Sequence, residues 1–216
     1  IYDDMTDLAK YAFNKSHAAA YAVVAYQTAF LKFYYPKEFM AALMTSVMDN
    51  TTKVSEYILA CRSMGIPILP PDINEGYSGF SVSGNGIRYG LSAIKSVGRA
   101  VVDVIIAERE NGGLFNSLDD FVSRMSNKEV NKRTLESFIK SGALDTLPGT
   151  RKQKLIVSGD LLESKAREKK TVMEGQLSFF DLAPEEEKNN FQITFPNVGE
   201  YDKQTLLAFE KETIGI

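Results

Sequence analysis

Apolar positions recur at helical spacing along most of this chain and alternate over only one short stretch. From Asp7 to Tyr34 the pattern predicts helix, with Ala18, Ala19, Ala20 and Ala22 supplying propensity and Ser16 able to cap. Pro36 fits the first turn of the next helix, which gathers Phe39, Met40, Leu43, Met44 and Val47 on one face. Thr51 or Thr52 starts a third, running through Tyr57, Ile58 and Cys61 to a stop at Gly65. Ile66-Pro67-Ile68-Leu69-Pro70-Pro71 cannot be helical and reads as an extended connector.

The alternating stretch follows. Phe80-Ser81-Val82 and Ile87-Arg88-Tyr89 flank Gly84-Asn85-Gly86, the pattern of a small β-hairpin. Helical spacing then returns from Arg99 to Glu110, ended by Gly112-Gly113. Ser117 with Asp120 resembles a capping box before a short helix that turns Leu118, Phe121 and Val122 inward. Asn131 to Lys140 predicts another helix, and Thr150 caps a long basic one reaching about Lys169. Gly175 to Asn190 reads as a flexible linker with an acidic run, Glu185-Glu186-Glu187, and Asp202 is placed to cap a last helix carrying Leu206, Leu207 and Phe209. The expected fold is mainly α, with a helical N-terminal segment and a tandem helix–hairpin–helix region that includes one small β-hairpin.

Two glycine-bearing turns punctuate the helices: Ile94-Lys95-Ser96-Val97-Gly98 and Ile139-Lys140-Ser141-Gly142-Ala143. A helix, tight hairpin and second helix suit a phosphate clamp. Glycine lets the chain turn sharply, and the N–H groups opening the second helix are unpaired and backed by the helix dipole. Such a site ignores base sequence. The competing reading is an ordinary helix–helix turn, preferred for one hairpin taken alone.

Charge shifts the balance. From Gly86 to Ile156 there are twelve Lys+Arg against eight Asp+Glu, a balance of +4, whereas from Glu174 onward it is three against nine, or −6. The overall −3 therefore hides a basic middle and an acidic tail. Candidate DNA contacts are Lys95, Ser96, Val97, Gly98 and Arg99 at the first hairpin. Lys132, Arg133, Lys140, Ser141, Gly142, Ala143, Arg151 and Lys152 are the candidates around the second. The expected partner is double-stranded DNA, held modestly.

Composition excludes several alternatives. Cys61 is the single cysteine, so no intramolecular disulfide framework exists and a reducing compartment fits. His17 is the single histidine, which rules out a multi-histidine metal cluster, and no metal site is expected. The longest uncharged run, Ser16 to Leu31, is too short for a membrane span, and no secretory signal is visible. A cytoplasmic protein without a membrane partner is expected. A start at Ile1 and a stop within a helical pattern read as an excerpt from a longer protein.

One hydrophobic island, Gln176-Leu177-Ser178-Phe179-Phe180, stands in the acidic linker. A loop folded back on its own core is the plain reading. A glutamine followed by paired aromatics on a tether also has the chemistry of a docking peptide, the rings filling a pocket and the amide bonding at its rim.

These pieces, in this order, resemble the α subunit of bacterial DNA polymerase III, of the DnaE type. Phe13-Asn14-Lys15-Ser16-His17-Ala18-Ala19-Ala20-Tyr21-Ala22 is similar to a signature of the fingers domain of that family. Leu69 to Asn74 is similar to the link that follows, and Ile87 to Arg109 with Lys140 to Asp145 to its tandem helix–hairpin–helix region. Gln176 to Phe180 resembles its internal sliding-clamp motif, Q-L-x-L-F, with Phe179 in place of leucine, and Leu206 to Gly215 resembles the lead into an OB domain. A further departure is Ser96, which stands where a helix–hairpin–helix usually has its first glycine.

The resemblance implies the end of the fingers over 1–75, the hairpin domain over 76–170, a clamp-docking linker over 171–200 and a helical lead over 201–216. It implies a parent that is a DNA-directed DNA polymerase, with a primer–template duplex, the bacterial sliding clamp and the other polymerase and replisome domains as partners. Gln176, Leu177, Phe179 and Phe180 would bind the clamp. Lys15 and His17 would lie near the incoming nucleotide, although a capped, solvated helix start accounts for both without it. Catalytic aspartates and their Mg2+ are expected in the palm, upstream. With no Asp-x-Asp motif here, this stretch is expected to bind no cofactor and to be inactive alone. The alternative is a non-enzymatic helix–hairpin–helix module of a repair protein.

Overall fold

Helices α1 (Tyr2–Lys10), α2 (Lys15–Tyr34), α3 (Pro36–Ser46) and α4 (Thr51–Ser63) open the chain in the computed structural model. It describes residues 1–10, 15–125, 130–173 and 194–215. Pro36 sits in the first turn of α3, where its missing N–H has no partner to lose. The cap of α4 is Asn50, whose Oδ1 accepts from the Lys53 amide at 3.1 Å, and the helix starts at Thr51, the first of the two positions predicted. The stop at Gly65 holds: its φ is +73°, and the Ile66 amide reaches back to the Cys61 carbonyl at 2.9 Å. No residue of α2 is buried. Its Tyr21, Val24, Tyr26, Phe30 and Phe33 stand exposed on a helix with few polar positions.

The prolines of the connector forbid a helix, yet the two residues between them pair. Strand β1 (Ile68–Leu69) runs parallel to β3 (Gly86–Arg88), which pairs antiparallel with β2 (Ser81–Ser83), giving the order β1-β3-β2. The predicted hairpin is therefore part of a three-stranded sheet. Ser83 pairs with Gly86 around a two-residue loop, and Gly84 takes φ +55° at its first position.

Leu91–Ala93 forms a single 3-10 turn, and α5 (Arg99–Gly112), α6 (Leu118–Met125), α7 (Lys132–Lys140), α8 (Arg151–Met173) and α9 (Lys203–Thr213) follow. The caps of α6, α8 and α9 are those the sequence predicts. Ser117 Oγ accepts from the Asp120 amide at 3.0 Å, Thr150 and Gln153 cap each other at 2.9 and 3.2 Å, and Asp202 accepts from the Thr205 amide at 2.8 Å. The fold is mainly α, as expected. Among the described residues no helix is long and apolar enough to cross a membrane.

One core joins these elements. Phe115, Phe121 and Phe138 form an edge-to-face series with ring centroids 5.1 and 6.2 Å apart, and Val102, Ile105, Leu135 and Leu144 close around them. The core continues beneath the sheet through Ile87 and Tyr89 to Met44, Ile58 and Cys61. Burial pushes the Cys61 thiol up, as suits a packing residue rather than a nucleophile.

Two buried cations, Arg109 and Lys154, serve backbone carbonyls. Arg109 Nη1 donates to Ile73 O and Gly76 O at 3.0 and 2.9 Å. Lys154, with no exposed surface, donates from Nζ to Leu144 O at 2.7 Å and Leu147 O at 2.8 Å. Burial pushes its ammonium down from the ordinary lysine value. Lys154→Met keeps the volume and strands both carbonyls, so urea denaturation should show a loss of about 1–3 kcal/mol.

Candidate nucleic-acid interface

The two predicted hairpins are physically different objects. At the first, Ser96, Gly98 and Arg99 are exposed, as is Lys95, while Val97 and Ile94 are buried and anchor the turn to the core. The element before it is the 3-10 turn, not the predicted helix. The sharp bend is made by Ser96, with φ +66°, the one non-glycine positive φ among the described residues. Gly98 has an extended φ of −78° and caps α5 from its backbone alone, so its predicted role in turning the chain is corrected. Among the described residues no side chain caps α5, and a Cβ on Gly98 would meet nothing within 4 Å. Donors without side-chain partners and open space lie together at one helix start.

The second predicted hairpin is a helix C-cap. Gly142 takes φ +83°, the Ala143 amide reaches Phe138 O at 3.0 Å and the Gly142 amide reaches Ile139 O at 3.1 Å. The Ser141 amide bonds Ser137 O, and its hydroxyl bonds Phe138 O. These N–H groups, read as an anion site from the sequence, are consumed within the turn. Ser141, Gly142 and Ala143 are buried, so they offer no surface to phosphate.

Arg151 is likewise no free cation. Its guanidinium bonds Asp145 at 2.6 Å, Glu210 at 2.9 Å and Lys140 O at 3.1 Å, and only 9% of the residue is exposed. Burial works against the charge, but the two carboxylates outweigh it and raise the pKa further. Lys140 pairs with Glu212 at 3.1 Å and lies over the Phe209 ring, and Lys152 lies over Tyr201. The carboxylate of Glu200 closes the start of α8, accepting from the Arg151 and Lys152 amides at 2.8 and 3.1 Å. Some burial would raise its pKa, yet these bonds, one from the Tyr201 amide and the Arg151 charge hold it below the usual carboxylate range.

Lys132 and Arg133 open α7 rather than preparing a later hairpin, and both are exposed. Asn131, extended at φ −92°, caps α7 from the place Gly98 holds on α5. Thr134 Oγ1 lies 3.5 Å from Ser96 O, so the first turn of α7 stands beside the first hairpin. The structure thus gathers Lys95, Ser96, Gly98, Arg99, Lys132 and Arg133. The start of α7 as a partner of the first hairpin was missed in the sequence, because the asparagine cap signals where the helix begins and not what it lies against. Lys15 and His17 lie apart on the exposed first turn of α2, where the His17 ring packs 4.3 Å from Tyr21. Gln176, Leu177, Phe179 and Phe180 fall outside the described residues, as do Phe13 and Asn14.

A family model for the helix-hairpin-helix motif matches residues 65–154, the stretch holding the sheet, α5, α6 and α7. DNA polymerase III subunit alpha of Borreliella burgdorferi is 42% identical over 215 residues, which is all of this chain and 19% of the relative. Those of Thermus aquaticus and Escherichia coli K12 are 44% and 43% identical, again over all of this chain and 17% and 19% of the relatives. From end to end the chain matches part of DNA polymerase III subunit alpha. It spans about a fifth of the length of the curated relatives it matches. The repair-module alternative accounts for the middle of the chain but not for similarity that also covers α1 to α3 and α9.

Two outcomes separate the cap from the hairpin. A Cβ on Gly142 would stand 2.4 Å from Arg151 Nη2 and at an unfavourable φ, so Gly142→Ala should cost about 1–3 kcal/mol in denaturant unfolding. Because the Glu200 pKa is held low, the stability it adds is complete above the unfolded carboxylate value and is lost as pH falls through the lower folded one. Thermal midpoints at about pH 7 and pH 3 should therefore differ less in Glu200→Gln than in the unaltered chain.

Proposed function

We propose that this chain is the part of a replicative DNA-directed DNA polymerase that grips the primer–template duplex without reading its sequence. The observation that carries this reading is the start of α5, open and without a side-chain cap among the described residues, with the exposed cations Lys95, Arg99, Lys132 and Arg133 around it. Backbone amides and point charges suit phosphate, whose contacts position a protein but carry no base information. The whole-chain similarity to DNA polymerase III subunit alpha supports placing this grip in a polymerase.

In the same reading, residues 1–75 close the fingers, 76–170 form the duplex-binding domain, 171–200 link it onward and 201–216 lead to a following domain. Lys15 and His17 face the incoming nucleotide in the assembled enzyme. The nucleotidyl transfer belongs to palm carboxylates outside this stretch, which would hold Mg2+ to supply Lewis-acid stabilisation of charge. Gln176, Leu177, Phe179 and Phe180 dock on the sliding clamp, the tether raising the local concentration of a weak contact.

Duplex affinity, followed by fluorescence anisotropy, should fall steeply with salt and be alike for unrelated sequences. Lys132→Ala with Arg133→Ala should weaken it and flatten the salt slope by about 2. Gly98→Val should leave the unfolding midpoint nearly unchanged, because the site is open, and still weaken binding by blocking the close approach. Equal binding by both variants would return the hairpin to an ordinary turn.

A peptide of residues 174–183 should bind the bacterial sliding clamp with a roughly micromolar Kd, as suits a small buried epitope. Changing Gln176, Phe179 and Phe180 to alanine in the full chain should abolish clamp binding and leave duplex binding intact. Clamp affinity retained by that variant would place the tether elsewhere.

A further inference from the structure

We infer that the last turn of α9, far along the sequence from the duplex site, is a positioning element that holds the first hairpin in its binding shape. The hairpin contains a strained residue. An L-residue in the left-handed region is strained, so Ser96 at φ +66° keeps that conformation only where its neighbours fix it. Two contacts do so. On one side Thr134 Oγ1 lies 3.5 Å from Ser96 O, and on the other the Lys95 amide donates to Thr213 O at 2.9 Å.

The second contact comes from α9, and α9 is itself fastened from several directions. The buried Tyr89 hydroxyl donates to Ile214 O at 3.0 Å, and Ser55 Oγ donates to Gly215 O at 3.3 Å. Glu210 and Glu212 pair with Arg151 and Lys140 at 2.9 and 3.1 Å. Thr213 is buried and ends α9, so its backbone carbonyl has no amide further along the helix to accept from and is left for the hairpin. None of these residues of α9 is needed to touch phosphate. They act through Lys95 and Ser96.

This inference rests on the duplex-binding reading and makes a prediction of opposite sign to plain electrostatics. Glu210→Gln with Glu212→Gln removes two negative charges near a basic surface, which alone would tighten binding to DNA. If α9 positions the hairpin, loosening its two ion pairs weakens binding instead.

The experiment compares the unaltered chain with this double variant by amide hydrogen exchange and by duplex titration. The Lys95 amide should exchange about tenfold faster in the variant while core amides such as that of Phe121 keep their protection. Duplex affinity should drop by about fivefold, the equivalent of one net hydrogen bond. Ser96→Gly relieves the strain locally, so in that background the same double change should cost clearly less affinity, a non-additivity that a general loosening would not give. An unaltered Lys95 exchange rate, an affinity that is unchanged or rises, or full additivity with Ser96→Gly would each overturn the inference. Absence of salt-dependent binding by the unaltered chain is a separate result, one that removes the duplex-binding reading itself.

Discussion

The buried guanidinium of Arg151 bonds or belongs to four pieces of chain at once. It begins α8, bonds Asp145 in the preceding turn, bonds the carbonyl of Lys140 at the end of α7 and pairs with Glu210 of α9. Removed from water, it must find all its partners inside the protein, because an unpaired charge there would cost several kcal/mol. Its planar fork lets one side chain face a carbonyl and two carboxylates at once. Gly142 follows from this: any Cβ at that position would occupy the space of the guanidinium.

The elbow between α7 and α8 is consequently built of satisfied groups. Its amides close a C-cap, Lys154 serves the carbonyls of Leu144 and Leu147, and Glu200 closes the start of α8. An anion arriving there would have to displace a carboxylate that already has its bonds. At the start of α5 no such carboxylate stands among the described residues, and the first turn of α7 adjoins it.

The acidic tail acquires a different meaning once its position is known. Read as net charge, it opposes DNA. Placed in space, Glu200, Glu210 and Glu212 meet the cations of the elbow, so opposite charges that are distant in sequence neutralise each other locally. What stays exposed and basic is then smaller than the composition implies and lies on a defined surface.

Local chemistry settled much of this protein. The helix starts at Pro36, Ser117, Thr150 and Asp202 and the stops at Gly65 and Gly113 follow from side chains or backbone freedom within a few residues, so they were legible in sequence. The inward faces of α3 and α6 were legible for the same reason, as was the hairpin around Gly84-Asn85. Strand β1 was not, because two residues between prolines carry no periodicity and become a strand only when β3 lies alongside. Nor could periodicity tell the two hairpins apart. Both present a glycine after Lys-Ser, and the difference lies in where their amides point and in what Arg151 and Glu210 bring from residues 6 and 65 or more positions beyond Asp145. Hydrogen bonds across such separations are decided by packing, and packing assigned one turn to the core and left the other open to a ligand.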